Sequence, residues 1–129
     1  MKIVRKSQKT APGFTFIEII IVITIIGLLA GIAIPYSMRA RDTARLSSIQ
    51  HNLREIESAK AQWALEHNKT TGDLVDMAAL KDYFRADAGV QDVMNETYVP
   101  NAIGVPAEAN LPSGVALGNY PAGAVIAAD

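Results

Sequence analysis

One carboxylate, that of Glu18, stands in a stretch of sequence where an ionised group is costly. Residues 14–34 are almost wholly apolar, and Glu18 is the only charged side chain among them. A carboxylate in such a setting costs a few kcal/mol unless it reaches a polar interface or meets a cation. Because Glu18 lies near the start of the stretch, two interpretations are open. Its side chain bends back to the interface, or it pairs with a cation from another chain.

The other polar residues form no catalytic constellation. The chain has no cysteine, no G-x-S-x-G sequence and no phosphate-binding loop. His51 and His67 would lie about 160° apart around a helix, too far apart to share a metal. Asp73 and Asp76 could bind calcium, but acids at a helix start favour capping, and Trp63 is expected in the core. The inventory argues against an enzyme, and no cofactor or metal is predicted.

Residues 14–35 are long enough to cross a membrane as a helix. About 21 residues with a rise of 1.5 Å each give roughly 32 Å, close to the hydrocarbon thickness of a bilayer. Pro35 ends the apolar segment, and no small-x-small cleavage site comes after it. The segment is preceded by no acid and by four basic side chains, Lys2, Arg5, Lys6 and Lys9. This charge pattern predicts a cytoplasmic N-terminus.

Gly13 is followed by FTFIEIIIVITIIG, with Glu18 at the fifth position after the glycine and Pro35 at the end of the segment. This pattern resembles the class III signal of type IV pilins and type II secretion pseudopilins. It implies that residues 1–13 are a leader peptide, cut off after Gly13 by a prepilin peptidase, and that the new amine of Phe14 is methylated. It also implies that the Phe14 amine of a neighbouring subunit pairs with Glu18 and fixes the register of a filament, as a buried polar residue does in coiled coils.

Gly27, Gly31 and Pro35 admit two interpretations. The spacing of the two glycines allows close approach of a second helix in lipid. Alternatively, two glycines followed by a proline lower local helix stability. The resemblance favours the second interpretation, a point of helix flexibility between Gly27 and Pro35.

Residues 36–68 are predicted to continue the helix with an amphipathic pattern. Lys60 interrupts a stripe of apolar side chains that recur at three- and four-residue spacing. The stripe comprises Leu46, Ile49, Leu53, Ile56 and Trp63. Residues 36–45 lack the stripe and are expected to stay exposed in a single subunit. Their arginines are predicted either to remain solvated or to pair with acids of neighbours.

Residues 69–129 are predicted to form a small globular head. Asp73 or a preceding threonine would cap a helix over residues 74–84, whose buried face would comprise Leu74, Met77, Ala78, Leu80, Tyr83 and Phe84. Two or three short strands with turns are predicted among residues 97–99, 102–105 and 114–117, and residues 98–105 resemble a short hairpin of pilin-like proteins. The predicted fold class is α+β and pilin-like, with a long N-terminal helix on a small domain that carries a short helix and a minimal antiparallel sheet.

These features predict a structural subunit that polymerises through its apolar helix. A pilus is favoured over a secretion pseudopilus, because major pseudopilins usually end in an Asp-rich calcium-binding loop and residues 107–129 contain only two acids. A major pseudopilin and a permanently anchored periplasmic domain are the alternatives.

The expected partners and locations follow from the same resemblance. It implies further copies of the chain, the prepilin peptidase, an assembly ATPase and an inner-membrane platform protein as partners. The precursor would cross the inner membrane once, and the subunit would then enter an extracellular pilus or a periplasmic pseudopilus. Without residues 1–13 the formal charge is −5, which gives no reason to expect nucleic-acid binding.

Overall fold

The structure, a computed structural model, describes residue 1, residues 13–85 and residues 89–129 of the chain. These residues form two compact units, Met1–Ser37 and Met38–Asp129. The predicted leader, apart from its first and last residues, lies outside the described residues. The basic side chains on which the predicted orientation in the membrane depends lie there too: Lys2, Arg5, Lys6 and Lys9.

Helix α1 (Phe16–Glu66) has 51 residues and confirms the predicted long helix within two residues at either end. It runs through Pro35 without a break. Proline has no N–H group, so the helical hydrogen bond that would reach the carbonyl of Gly31 is missing at this point. The remaining residues after Pro35 contain no proline or glycine up to the end of α1, which suits a continuous helix.

The first half of α1 presents its apolar side chains to the outside of the single chain. Large apolar residues from Phe14 to Ile34 are all exposed, with the exposed fraction ranging from 37% at Ile20 to 83% at Phe16. By length and composition, α1 is the one helix among the described residues that could cross a membrane, and its most apolar window has no buried residue.

The second half of α1 supplies one wall of the core of the head. Ile49, Leu53 and Ile56 are fully buried, Trp63 is 9% exposed, and Leu46 packs against the same cluster. The predicted stripe is therefore confirmed. The core is completed by small and aliphatic residues from the rest of the head: Ala59, Leu80, Ala107, Ala109, Leu111, Leu117 and Ile126.

Lys60 interrupts the apolar stripe in sequence yet is buried, with 2% of its surface exposed. Its Nζ donates to the carbonyl oxygen of Val105 at 2.6 Å and to Oε1 of Glu57 at 2.9 Å. The same Oε1 accepts the backbone N–H of Ala107 at 2.6 Å. The buried ammonium group is thus paired and hydrogen-bonded, as a buried charge requires. The pair also ties the loop at residues 105–107 to α1.

A three-stranded antiparallel sheet covers this wall, in the order β1 (Thr97–Val99), β2 (Glu108–Asn110) and β3 (Val125–Ala127). Tyr98 pairs with Ala109, and Ala109 pairs with Ile126. Ala109 and Ile126 point into the core, whereas their neighbours along each strand are more exposed. The alternation is that of a sheet with one buried face. The predicted α+β class with a minimal antiparallel sheet is confirmed.

The candidate strand at residues 97–99 is confirmed, whereas residues 102–105 and 114–117 form no strand, so the prediction of a second strand among these segments is wrong. Ala102 makes only an isolated bridge to Leu74, and Leu117 makes one to Tyr120. Gly104 has a φ of +84°, which suits a turn and not a strand. The expected hairpin within residues 98–105 is therefore absent. Its first strand pairs instead with β2, a segment of low strand propensity that was not predicted.

The predicted helix at residues 74–84 is shorter than expected. Helix α2 (Met77–Leu80) is followed by a 3₁₀ turn, Lys81–Tyr83. Asp76, not Asp73, occupies the N-cap position, and its side chain makes no capping hydrogen bond. Asp73 instead accepts the backbone N–H of Thr70 at 2.9 Å, which stabilises the preceding turn.

The predicted buried face of this segment is only partly correct. Leu80 is buried, whereas Met77, Tyr83 and Phe84 pack partly against the core. Leu74 and Ala78 are exposed, against the prediction. The reason is that Leu74 lies before the helix, in the bridge to Ala102, and so does not share the helical face.

Candidate functional site

The start of α1 is closed by a reciprocal hydrogen-bond arrangement between Thr15 and Glu18. Thr15 immediately precedes Phe16, the first helical residue, and Glu18 is the third residue of the helix. The backbone N–H of Thr15 donates to Oε2 of Glu18 at 2.7 Å, and its hydroxyl donates to the same oxygen at 2.6 Å. The N–H of Glu18 donates to the Thr15 hydroxyl oxygen at 3.4 Å. This is a capping box, in which side chains satisfy backbone donors that the first helical turn leaves unpaired.

The capping box was missed in the sequence, although its T-x-x-E spacing is legible at residues 15–18. It gives Glu18 two donors from its own chain and places the carboxylate at the positive end of the helix dipole. Both effects lower the cost of an ionised group near the apolar segment. Glu18 forms no ion pair with any residue that the structure describes. Its pairing with a neighbouring subunit stays a prediction.

Gly13 and Phe14 lie just outside the helix in an irregular, exposed segment. A Cβ atom placed on Gly13 would meet no described atom within 4 Å. Crowding by the described residues therefore does not explain a glycine at this position. An enzyme that must approach the backbone closely would explain it, because glycine leaves the peptide bond unobstructed.

Gly27 and Gly31 leave two open positions on the surface of the apolar helix. Added Cβ atoms would meet nothing within 4 Å at either position, so each glycine is a place where another helix could come close. The hydroxyl of Thr24, a further polar group of the segment, donates to the carbonyl of Ile20 at 2.7 Å and is satisfied within the helix. The predicted flexibility between Gly27 and Pro35 remains a prediction.

The structure does not bring the two histidines together. The ring of His67 stacks on that of Trp63 with centroids 5.1 Å apart, and its Nδ1 lies 3.0 Å from the Trp63 carbonyl oxygen. Trp63 itself belongs to the core, as predicted. No group of three or more histidine, cysteine, aspartate or glutamate side chains in the described part of the chain could hold a metal.

A buried carboxylate that sequence reasoning missed organises the loop before β1. Glu96 is 5% exposed and accepts hydrogen bonds from the N–H groups of Val93 at 2.8 Å and Met94 at 2.7 Å, and from the Tyr98 hydroxyl at 2.6 Å. Burial pushes the pKa of Glu96 upward, but these hydrogen bonds to the charged form outweigh it and hold the pKa below its usual value.

The same network reaches α1 through Asn52. The Asn52 amide donates to the Tyr98 hydroxyl at 2.8 Å and to the carbonyl oxygen of Gln91 at 2.9 Å. Burial and the bond to Glu96 raise the pKa of Tyr98, so the phenol stays protonated and remains a donor. These hydrogen bonds hold the loop before β1 against α1. No local sequence signal marks it, because its members are up to 46 residues apart.

An exposed apolar helix start with a capped glutamate, together with a head of one amphipathic helix and a minimal sheet, defines a pilin-like subunit. The comparisons with known proteins agree with this class. Residues 9–34 match the family described as "Prokaryotic N-terminal methylation motif". The chain is 34% identical over 65 residues to the type II secretion system core protein G of Klebsiella michiganensis.

That similarity covers 50% of this chain and 44% of the relative, so the matched part spans less than half the length of the relative. No solved structure matches the chain. Taken with the fold, the methylation motif and this relative support a subunit that resembles type IV pilins and type II secretion pseudopilins.

Proposed function

We propose that the chain is the structural subunit of a type IV pilus-like filament. It is made as a membrane-held precursor, cut after Gly13 by a prepilin peptidase, methylated at Phe14 and polymerised through the apolar half of α1. The assembly ATPase and platform protein are the expected further partners. The head has the role of coating the filament and is not an enzyme.

The observation that carries this proposal is the exposed apolar surface at the start of α1. Fourteen large apolar side chains between residues 14 and 34 are exposed in the single chain. Fully burying each of them stabilises by about 1.5–3 kcal/mol, so together they favour burial by on the order of 20–40 kcal/mol. Such a surface must be covered at every stage, first by lipid and then by the same surface of other copies.

Glu18 has a second role in this scheme. Cleavage after Gly13 converts the amide nitrogen of Phe14 into a cationic amine. This amine lies four residues before Glu18 in the same chain. The capping box leaves the helix start well defined, so the carboxylate is held at a fixed position. An amine from a staggered neighbour then pairs with it in a low dielectric, where an ion pair depends strongly on geometry.

A major pseudopilin of a type II secretion system is the second candidate. The similarity to core protein G of such a system favours it. The small number of acids in the tail, Glu108 and Asp129, favours the pilus. The two candidates share the processing, the membrane-held precursor and the assembly, and they differ in whether the filament reaches the cell surface.

The mature N-terminus tests the shared part of the proposal. Mass spectrometry of the purified protein should find a chain that starts at methylated Phe14. Gly13→Leu should block this cut, and Gly13→Ala, the smallest possible change, should slow it. A wild-type protein that starts at Met1, or a Leu variant that is trimmed normally, would overturn the assignment.

Electron microscopy of sheared surface material separates the two candidates. Filaments that contain this subunit outside intact cells support the pilus. Filaments found only after the subunit is overproduced together with a secretion system, with none on ordinary cells, support the pseudopilus. A protein that is cut normally but never polymerises contradicts both.

A further inference from the structure

Charge is divided unevenly along the unit Met38–Asp129. Residues 38–54, the first part of α1 in this unit, carry four arginines and one aspartate, a formal charge of +3. Residues 55–129 carry eleven acidic and four basic side chains, a formal charge of −7. The exposed Arg41 and Arg45 near the start of this part of α1 and the exposed acids that follow its end therefore lie at different places on the head, a distribution that favours end-to-end attraction between copies.

The basic end presents two arginines on one exposed face. Arg41 and Arg45 are four residues apart on α1, so their side chains are neighbours, and both are exposed. Neither takes part in an ion pair with a residue that the structure describes. Two like charges at this spacing repel each other slightly, and an acidic partner would offset that repulsion.

The acidic end lies where α1 stops. Glu66 is in its last turn, and Tyr83 donates a hydrogen bond to the Glu66 carboxylate, which holds the 3₁₀ turn against the end of the helix. Asp76 and Asp82 flank α2 and are exposed. The distance along the helix from Arg45 to Glu66 is about 32 Å, from 21 residues with a rise of 1.5 Å each.

Each end also exposes apolar surface. At the acidic end Leu65 and Leu74 are 81% and 84% exposed. At the basic end a cleft of about 310 Å³ lies between α1 and the turn before Pro121, with Leu46 and Tyr120 in its walls. The cleft is also lined by Arg39 and Asp42. Its apolar wall at Leu46 and Tyr120 complements the exposed leucines, and the nearby arginines complement the acids beside those leucines.

We propose that the basic end of one head binds the acidic end of the head of another copy, displaced along the filament by about the 32 Å that separates the ends. This inference rests on the proposed function. The contact is heterologous, because the two surfaces differ, and heterologous contacts that do not close into a ring generate helical filaments. It is separate from the register pair at Glu18, since it uses only residues of the head.

Cysteine crosslinking tests the contact directly, because the chain has no cysteine of its own. Arg45→Cys and Asp76→Cys are introduced together into the full chain, filaments are formed in cells, and a flexible bismaleimide is added. The matched control pairs Arg45→Cys with Thr97→Cys, an exposed position on β1. We expect a ladder of covalent oligomers from the first pair and at least fivefold less from the control.

Charge reversal gives the second readout. Arg41→Glu with Arg45→Glu should reduce filament yield at least tenfold, Asp76→Lys with Asp82→Lys should do the same, and the fourfold variant should recover most of the wild-type yield. All variants should be cut normally after Gly13, since none of the changes lies near the leader.

The outcomes separate this contact from the proposed function. Suppose that the wild-type chain forms filaments, but the Arg45→Cys, Asp76→Cys pair gives no crosslinked ladder or charge reversal causes no loss of yield. Either result would overturn the head contact and leave the proposed filament subunit intact. Normal filaments together with weaker binding of the Arg41→Gln, Arg45→Gln variant to anionic lipid vesicles would assign the arginines to the membrane and also overturn it. Absence of wild-type filaments would count against the proposed function itself.

Discussion

Replacing Glu96 by glutamine is expected to destabilise the head although it changes neither size nor shape. All three close partners of the Glu96 carboxylate are donors: the N–H groups of Val93 and Met94 and the hydroxyl of Tyr98. Glutamine keeps one acceptor oxygen but puts an NH₂ group in the place of the other. One donor would then face another donor inside a buried site.

The expected loss follows from the strength of hydrogen bonds to a charged acceptor, roughly 1.5–3 kcal/mol each when they are shielded from water. Since Val93 is partly exposed, water can replace part of what is lost at its N–H group. We expect Glu96→Gln to lower the free energy of unfolding by about 2–3 kcal/mol. For a domain of this size that lowers Tm by roughly 10–20 °C.

Thermal unfolding of the full chain in detergent, followed by tryptophan fluorescence, measures this change. Trp63 is the single tryptophan and lies in the core, so its emission reports unfolding of the head. The matched control is Glu108→Gln on β2, whose carboxylate accepts no hydrogen bond from the residues that the structure describes. It should shift Tm by no more than a degree or two.

The pH dependence gives the same prediction a sign. The pKa of Glu96 in the folded chain lies below its usual 4.5, so its contribution to stability is complete above that value and is lost as pH falls through the folded pKa. The gap between wild type and Glu96→Gln should therefore be full at neutral pH and shrink below about pH 4. Equal stabilities at neutral pH, or a gap that persists in acid, would refute the role given to Glu96.

Three further changes probe other contacts. Lys60→Met should cost about 1–3 kcal/mol of stability in the same unfolding assay, since it breaks the link to Glu57 and Val105, whereas Lys81→Met on the surface should be near neutral. Gly104→Ala should cost about 1–2 kcal/mol more than Gly123→Ala, because both have positive φ but only the first would place a Cβ 2.7 Å from Thr71, and a smaller difference would mean that Thr71 moves aside. Glu18→Gln should keep the capping box, whereas Glu18→Ala should lose it, and both variants should enter filaments poorly. Filament yield measures this, and a normal yield from the Gln variant would limit the role of Glu18 to capping.

How much of this molecule follows from its sequence depends on whether the signal is local. The stripe from Leu46 to Trp63 predicted a buried helical face correctly, because the 3.6-residue period places those side chains together whatever the rest of the chain does. Strand prediction failed at residues 102–105 and 114–117. Their apolar character is met by turns and single bridges, and the strands that form, β2 and β3, are set by pairing with partners far along the chain.

The sequence by itself determined the long helix, the apolar segment and the resemblance at Gly13 and Glu18, because each depends on residues within a few turns of one another. Only the tertiary structure decided that Lys60 is buried and that Glu96 holds the loop before β1. A charged side chain reads as a surface residue until its partners are known. For Lys60 and Glu96 those partners include groups brought in from distant parts of the chain, such as Val105 and, through Tyr98, Asn52.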